Sequence, residues 1–128
     1  MKQKREDRLW YKGIKFSSMF EVEVARYLDQ LNISWERNEK LFPANMDNGK
    51  VLHYLPDFKL YINDEIIYLE SKGTWWSKDK RIKTYKAVEQ NNLNWICIML
   101  SDWQKSKRCL GNKLRKIKND LSSRGKLL

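Results

Sequence analysis

Between Met19 and Leu31 the apolar residues follow a helical period. Phe20, Val24, Tyr27, Leu28 and Leu31 gather on one side, which predicts an amphipathic helix. Ser18 and Glu21 have the spacing of a capping box at its start, and that role alone accounts for Glu21. The period then shortens. Ile33 to Asn38 reads as a strand, with Leu41-Phe42-Pro43 as its continuation or edge, and Ala44 to Lys50, holding Asn48-Gly49, as a turn or short loop. Val51 to Tyr54 opens the next strand and runs into Pro56-Asp57. Phe58 to Ile62 and Glu65 to Lys72 flank the turn-forming pair Asn63-Asp64 and predict a β-hairpin. After a loop over Thr74 to Ser77, capped by Ser77 or Asp79, a second helix is expected from about Lys78 to Gln90, with Ile82, Tyr85 and Val88 turned inward. Trp95 to Leu100 is a continuous apolar run suited to a buried strand, parallel to a neighbour after the helical crossover. Leu114, Ile117 and Leu121 predict a last helix over Asn112 to Leu121. The order of elements predicts an α/β fold, a mixed β-sheet flanked by helices.

Length and charge narrow the picture. A chain of 128 residues is one domain with room for its own core. Its 26 Lys and Arg against 16 Asp and Glu leave a net charge of +10, which points to a polyanionic partner, with nucleic acid foremost. Residues 1 to 12 carry Lys2, Lys4, Arg5, Arg8 and Lys12 and read as a mobile basic arm, either ordered by nucleic acid or a solvated tail. Residues 13 to 128 form the single domain. No apolar run approaches the ~20 residues of a membrane span, and the N-terminus lacks a signal peptide's apolar region. Cys97, in an apolar strand, and Cys109, in a basic loop, fit a reducing cytoplasm rather than a disulfide framework. With one histidine and no ligand spacing, a zinc site is not expected.

The chemistry lies in the predicted hairpin. Residues alternate faces along a strand, so Glu70 and Lys72 project together with Ile66 and Tyr68, and Asp57 begins the partner strand beside them. Two carboxylates and an ammonium at one sheet edge suit phosphodiester hydrolysis: the carboxylates hold a divalent metal, and the lysine orients or activates water. The same three residue types are also ordinary at strand ends. What favours a site is Pro56 before Asp57, the apolar strand leading into Glu70, and Gly73 directly after Lys72. Lys78, Lys80, Arg81, Lys83 and Lys86 on the second helix read either as a solvated face or as a track for phosphates. Trp75, Trp76 and Trp103 stand in basic surroundings, where they either stack on bases or pack half-buried. His53 reads as a half-buried strand residue or as a proton shuttle.

A helix with Glu21, then Pro56-Asp57, then Glu70-Ser71-Lys72, then helix and buried strand resembles the PD-(D/E)XK nuclease superfamily. Within it the chain is most similar to the phage endonuclease I family, which resolves Holliday (four-way) junctions in DNA recombination. The resembling pieces are Lys12-Gly-Ile-Lys-Phe-Ser-Ser-Met-Phe-Glu21, Asn32-Ile-Ser-Trp-Glu36, Tyr54-Leu-Pro-Asp-Phe58 and Leu69-Glu-Ser-Lys-Gly-Thr-Trp-Trp-Ser-Lys-Asp79. The resemblance implies a restriction-endonuclease-like fold and a metal-dependent endodeoxyribonuclease with two Mg2+ (or Mn2+) ions per site. It makes Asp57 the shared metal ligand, Glu70 and the Ser71 backbone carbonyl ligands of one ion, and Glu21 a contributor to the other. Lys72 then meets the attacking water or the scissile phosphate. Glu36 matches an acidic position of the family and is equally a solvent-facing strand residue. Lys78, Lys80, Arg81, Lys83, Trp75 and Trp76 are the DNA-binding candidates. The resemblance also implies a homodimer whose active sites are shared, with Glu21 acting in trans, at work in the cytoplasm of a bacterial host. Two departures stand out: a longer segment between Asp57 and Glu70, and a basic stretch from Ser101 onward without a counterpart. A homing- or restriction-like site-directed endonuclease and a non-catalytic nucleic-acid-binding module are the alternatives.

Overall fold

In the computed structural model, residues 5–74 and 77–126 are described. Trp75, Trp76 and the arm residues Lys2 and Lys4 lie outside them. In order, the elements are α1 (Arg5–Arg8), β1 (Trp10–Tyr11), β2 (Ile14–Lys15), α2 (Met19–Gln30), β3 (Ser34–Arg37), β4 (Phe42–Asn45), β5 (Val51–Tyr54), β6 (Phe58–Ile62), β7 (Glu65–Lys72), α3 (Lys78–Gln90), β8 (Trp95–Met99), α4 (Leu100–Lys105) and α5 (Arg108–Lys126). The α/β class expected from the pattern is what the chain forms.

The central sheet has four strands in the order β3-β6-β7-β8. β6 and β7 pair antiparallel across Asn63-Asp64, whose φ values of 50° and 65° suit the tight turn that follows the strands' own twist. β8 returns parallel to β7 after α3 has crossed over. One sheet face carries Phe58, Leu60, Ile67, Leu69, Ile96 and Ile98, all buried against Phe20, Val24 and Leu28 of α2 and Leu110 and Leu114 of α5. The other face carries Tyr68, covered by Phe42, Ala44 and Tyr54 of the β4–β5 ribbon and by Ala87 of α3. Both faces of β7 are therefore covered, and its sequence is nearly continuously apolar up to Glu70.

Several expectations need correction. β4 and β5 do not feed the main sheet; they form their own antiparallel ribbon, turning at Gly49 with φ 85°. Pro56 lacks the N–H a ladder requires, so the strand ends before it. The face of α3 is rotated from the expected one: Thr84 and Ala87 are buried, and Tyr85 is 54% exposed. The last helix begins at Arg108, not Asn112, because Leu110 extends the Leu114–Ile117 stripe one turn upstream; Cys109 is thus helical. Trp103 is core, 3% exposed and edge-on to Tyr27.

The arm read over residues 1 to 12 is not detached along its second half. Tyr11 stacks on Trp35 and donates to Asp29 Oδ2, Trp35 Nε1 donates to Asp29 Oδ1, and Lys12 pairs with Asp29 at 2.8 Å. Among the described residues no helix is long and apolar enough to cross a membrane.

Candidate active site

Asp57 is set by backbone anchoring before any charge is considered. Asn38, 4% exposed, donates from Nδ2 to Pro56 O (3.0 Å) and Lys40 O (2.9 Å), and its backbone N–H donates to Asp57 O. Asn38 thus clamps the turn that β6 leaves. Phe58 faces Leu69 in the β6–β7 register, which brings the preceding residue, Asp57, alongside Glu70. Asp57 Oδ2 accepts from the Ser71 N–H at 2.8 Å and from Ser71 Oγ at 3.0 Å. Ser71, expected as a metal ligand through its carbonyl, orients Asp57 through its two donors.

Glu70 is 6% exposed at the covered end of β7. Its Oε2 accepts from Tyr54 Oη at 2.8 Å, and Tyr54 Oη accepts from Trp95 Nε1 at 2.9 Å. Burial, then Glu70, pushes the Tyr54 hydroxyl far above its ordinary value, so it stays a donor. This Trp95–Tyr54–Glu70 chain ties β8 and β5 to the end of β7.

The two carboxyls strain one another. Burial raises Asp57 to about 6, with Glu21 adding to the rise and the Ser71 donors and Lys72 opposing it. Burial and the Asp57 charge raise Glu70 to about 8, against the pull of Tyr54 and Lys72. Glu21, Asp57, Glu70 and Lys72 are therefore electrostatic neighbours within one chain.

Glu21 caps the start of α2 and also borders the cleft beside Asp57. Its N–H donates to Ser18 Oγ at 3.2 Å, and its carboxylate accepts at 2.9 Å from Ser17 N–H, one residue before the helix cap instead of from the cap itself. That carboxylate borders a cleft of about 130 Å3 with Asp57, Asn38, Arg37, Ser17 and Phe16. The cleft has room for a hydrated ion or a phosphate group.

The set does not converge on one point. Lys72 borders a different, larger space between α3 and α5, and buried Glu70 lines neither. Among the described residues no three acidic, histidine or cysteine side chains are grouped as a ready-made metal cage. The donor set still fits a divalent cation: the bonds described for Asp57 and Glu70 fall on Oδ2 and Oε2, and burial penalises the charged form of both carboxyls.

Other candidates sort themselves by position. Glu36 is exposed on the outer strand β3, accepting from Tyr61 Oη, so the solvent-facing reading holds. His53 is exposed opposite Pro43, on the strand face away from buried Tyr54. Lys78 and Lys80 are exposed, Arg81 and Lys83 are half-buried, and Lys86 is tied to Asp47 at 2.9 Å. Trp75 and Trp76 lie outside the described residues. Arg37, Asn38, Tyr54 and Trp95 escaped the sequence reading: Asn38, Tyr54 and Trp95 meet the site through partners 16 or more residues away, and Arg37, whose guanidinium donates to Lys15 O, reaches the cleft wall only in the folded chain. Compared with protein-family models and with curated proteins, the sequence matches none.

Proposed function

We propose that this chain is a metal-dependent endodeoxyribonuclease that hydrolyses phosphodiester bonds in branched DNA such as four-way junctions. The observation that carries the reading is the Asp57–Glu70 pair: a half-buried carboxyl just before β6, oriented by the two Ser71 donors, alongside a buried one on β7, with Glu21 and Lys72 acting on both. Burying two like charges together costs stability, and a divalent cation offsets that cost. Asp57, Glu70 and Glu21 would hold Mg2+ or Mn2+, with the Ser71 carbonyl completing the set. Bound there, the ion neutralises phosphate charge and acidifies a water.

The chain's own groups do the rest. Ser71 holds Asp57 in one orientation, and Tyr54 does the same for Glu70. Lys72, at the end of β7, orients the attacking water or the scissile phosphate. Arg37, on the wall of the cleft, offers a second cation to the phosphate. The net charge of +10 and the α3 cations draw DNA toward that edge. Paired cuts across a junction call for two sites, hence a homodimer, acting in the cytoplasm of a bacterial host. A single chain already brings Glu21 to the Asp57 cleft. Exchange of α2 between copies would rebuild the same cleft, so co-refolded Glu21→Ala and Asp57→Ala chains should nick only if the helices are exchanged.

The test is cleavage of a labelled panel in Mg2+, Mn2+ or Ca2+: a four-way junction, a matched duplex, single-stranded DNA and RNA, with the Asp57→Ala protein alongside. Paired nicks at the branch that vanish in Asp57→Ala support the proposal. Cuts at defined sites in linear duplex move the assignment to a site-directed endonuclease. A second reading, a binding module that has kept the fold, draws on the internal hydrogen bonds that already occupy Asp57 Oδ2 and Glu70 Oε2. Tight binding with no cutting in any cation would select it.

A further inference from the structure

β8 is the outer strand of the central sheet on its α3 side, and its free edge lies at the bottom of a trough of about 820 Å3 between α3 and α5. The trough runs from Lys72, paired in register with Met99, to Asn92 and Asn94 at the start of the strand. Its walls come from one stripe of each helix. α3 supplies Arg81, Tyr85 and Glu89, and α5 supplies Lys113, Lys116 and Ile117.

Size restricts what fits. At ~3.3 Å per residue, the five residues of β8 span about 16 Å, and with the radius of a water molecule added at each wall the trough averages roughly 10 Å across. A duplex, wider than the ~10 to 12 Å of an α-helix with its side chains, does not enter. An extended polymer, either a peptide strand or a single nucleic-acid strand, fits with the least crowding.

Charge and composition choose between them. Lys72, Arg81, Lys113 and Lys116 outnumber Glu89 and Asp120. Tyr85, 54% exposed, stands edge-on to Trp95 at 6.0 Å, giving an aromatic surface among cations. Cationic walls with exposed aromatic rings are the composition that holds single strands without sequence readout. Lys72 lines one end of the trough and lies two residues beyond Glu70 on β7, so on the nuclease reading a strand leaving the scissile phosphate passes Lys72 into it.

We infer that the α3–β8–α5 trough binds a single-stranded nucleic-acid segment next to the cleavage edge, so that the preferred substrate carries an unpaired arm or flap. The direction of the strand relative to Lys72 rests on the nuclease reading; the binding itself does not.

The test is binding without cleavage, by fluorescence anisotropy in EDTA. The probes are an oligothymidylate, a blunt duplex and the same duplex with a single-stranded tail. The protein is compared with a Lys113→Glu/Lys116→Glu variant, which changes only exposed positions. The variant should bind the oligothymidylate and the tailed duplex at least tenfold more weakly, with a shallower salt dependence. Its affinity for blunt duplex should fall far less. An oligonucleotide carrying 5-iodouracil should cross-link to Tyr85 or Trp95. Unchanged single-strand affinity in the variant overturns the inference. So do cross-links confined to residues outside the trough, or an acidic peptide that binds there while the oligothymidylate does not. Binding as expected from a protein that cuts nothing would keep the trough and remove the nuclease reading; cutting without the charge effect would do the reverse.

Discussion

Glu70→Gln should make the cation-free protein more stable at pH 8 and inactive at every pH. Burial and the Asp57 charge move the Glu70 carboxyl from its ordinary 4.5 to about 8. The unfolded chain therefore releases this proton above about pH 4.5, while the folded chain keeps it up to about 8. Stability is full below the lower value and falls as pH rises between them, by at most ~1.4 kcal/mol per pH unit. The ceiling is about 5 kcal/mol for Glu70 alone. Asp57, moved from 3.8 to about 6, adds a smaller loss at lower pH. The two carboxyls repel one another, so the total for the pair is the sound quantity, and about 2 to 5 kcal/mol is the expected range. Glutamine keeps an acceptor for Tyr54 and carries no charge, so it removes most of that loss. In a domain of this size, 1 kcal/mol corresponds to roughly 4 °C in Tm. Thermal unfolding of both proteins from pH 4.5 to 8.5 in EDTA should show curves that meet at the acid end and separate by roughly 10 to 20 °C at pH 8. Mg2+ or Ca2+ should raise the Tm of the parent protein at pH 8 and leave Glu70→Gln nearly unmoved. A parent Tm that is flat from pH 5 to 8, or a glutamine variant that is no more stable at pH 8, would refute the account of strained paired carboxyls.

Asp57→Ala should lower cleavage on the order of a thousandfold or more while DNA binding in Ca2+ holds or tightens, since a negative charge beside phosphate is lost; a gel-shift run beside the nicking assay reads both. Asn38→Ala removes the clamp on Pro56 and Lys40, and should cost about 2 kcal/mol in urea unfolding at unchanged slope and lower the cleavage rate more than substrate affinity. Asp29→Asn loosens the N-terminal hairpin. Burial opposes the Asp29 charge, but Lys12, Tyr11 and Trp35 outweigh it and hold the carboxyl below its ordinary 3.8. The stability it adds is therefore present above pH 3.8 and is lost as pH falls through its lower folded value. The parent should exceed Asp29→Asn by about 1 kcal/mol at pH 7, the two converging in acid, with amide exchange faster across residues 10 to 15 in the variant.

Local signals carried much of the fold and of the candidate site. The Asn63-Asp64 turn set the β6–β7 register, and that register brings Asp57 alongside Glu70. The helical period of α2 and the Ser18 cap located Glu21, and the apolar run Trp95 to Leu100 announced a strand parallel to a neighbour, which the fold shows to be β7. These are short-range effects: pleat, helical period and turn geometry act between residues a few positions apart. Where a local pattern was ambiguous, packing decided. Phe42 and Tyr54 read equally well as strands of the main sheet, and became a separate ribbon because Pro56 ends the ladder and Tyr68 needs a cover. The buried face of α3 turned to Thr84 and Ala87, with Ala87 and half-buried Val88 packed against that ribbon, and Tyr85 was left to the trough.

The tertiary structure alone supplied what makes the carboxylates unusual. Nothing in the order of residues says that Trp95 reaches Tyr54, that Tyr54 holds Glu70, or that Asn38 clamps Pro56, because those bonds close loops of 41, 16 and 18 residues. Nor does the sequence show how deeply Glu70 sits. A side chain's identity depends on the chain alone, whereas its charge depends on the dielectric and the neighbours that folding brings to it. The sequence by itself determined which groups this protein has at the end of β7, and only the packing of two layers over that strand decided that they are held under electrostatic strain.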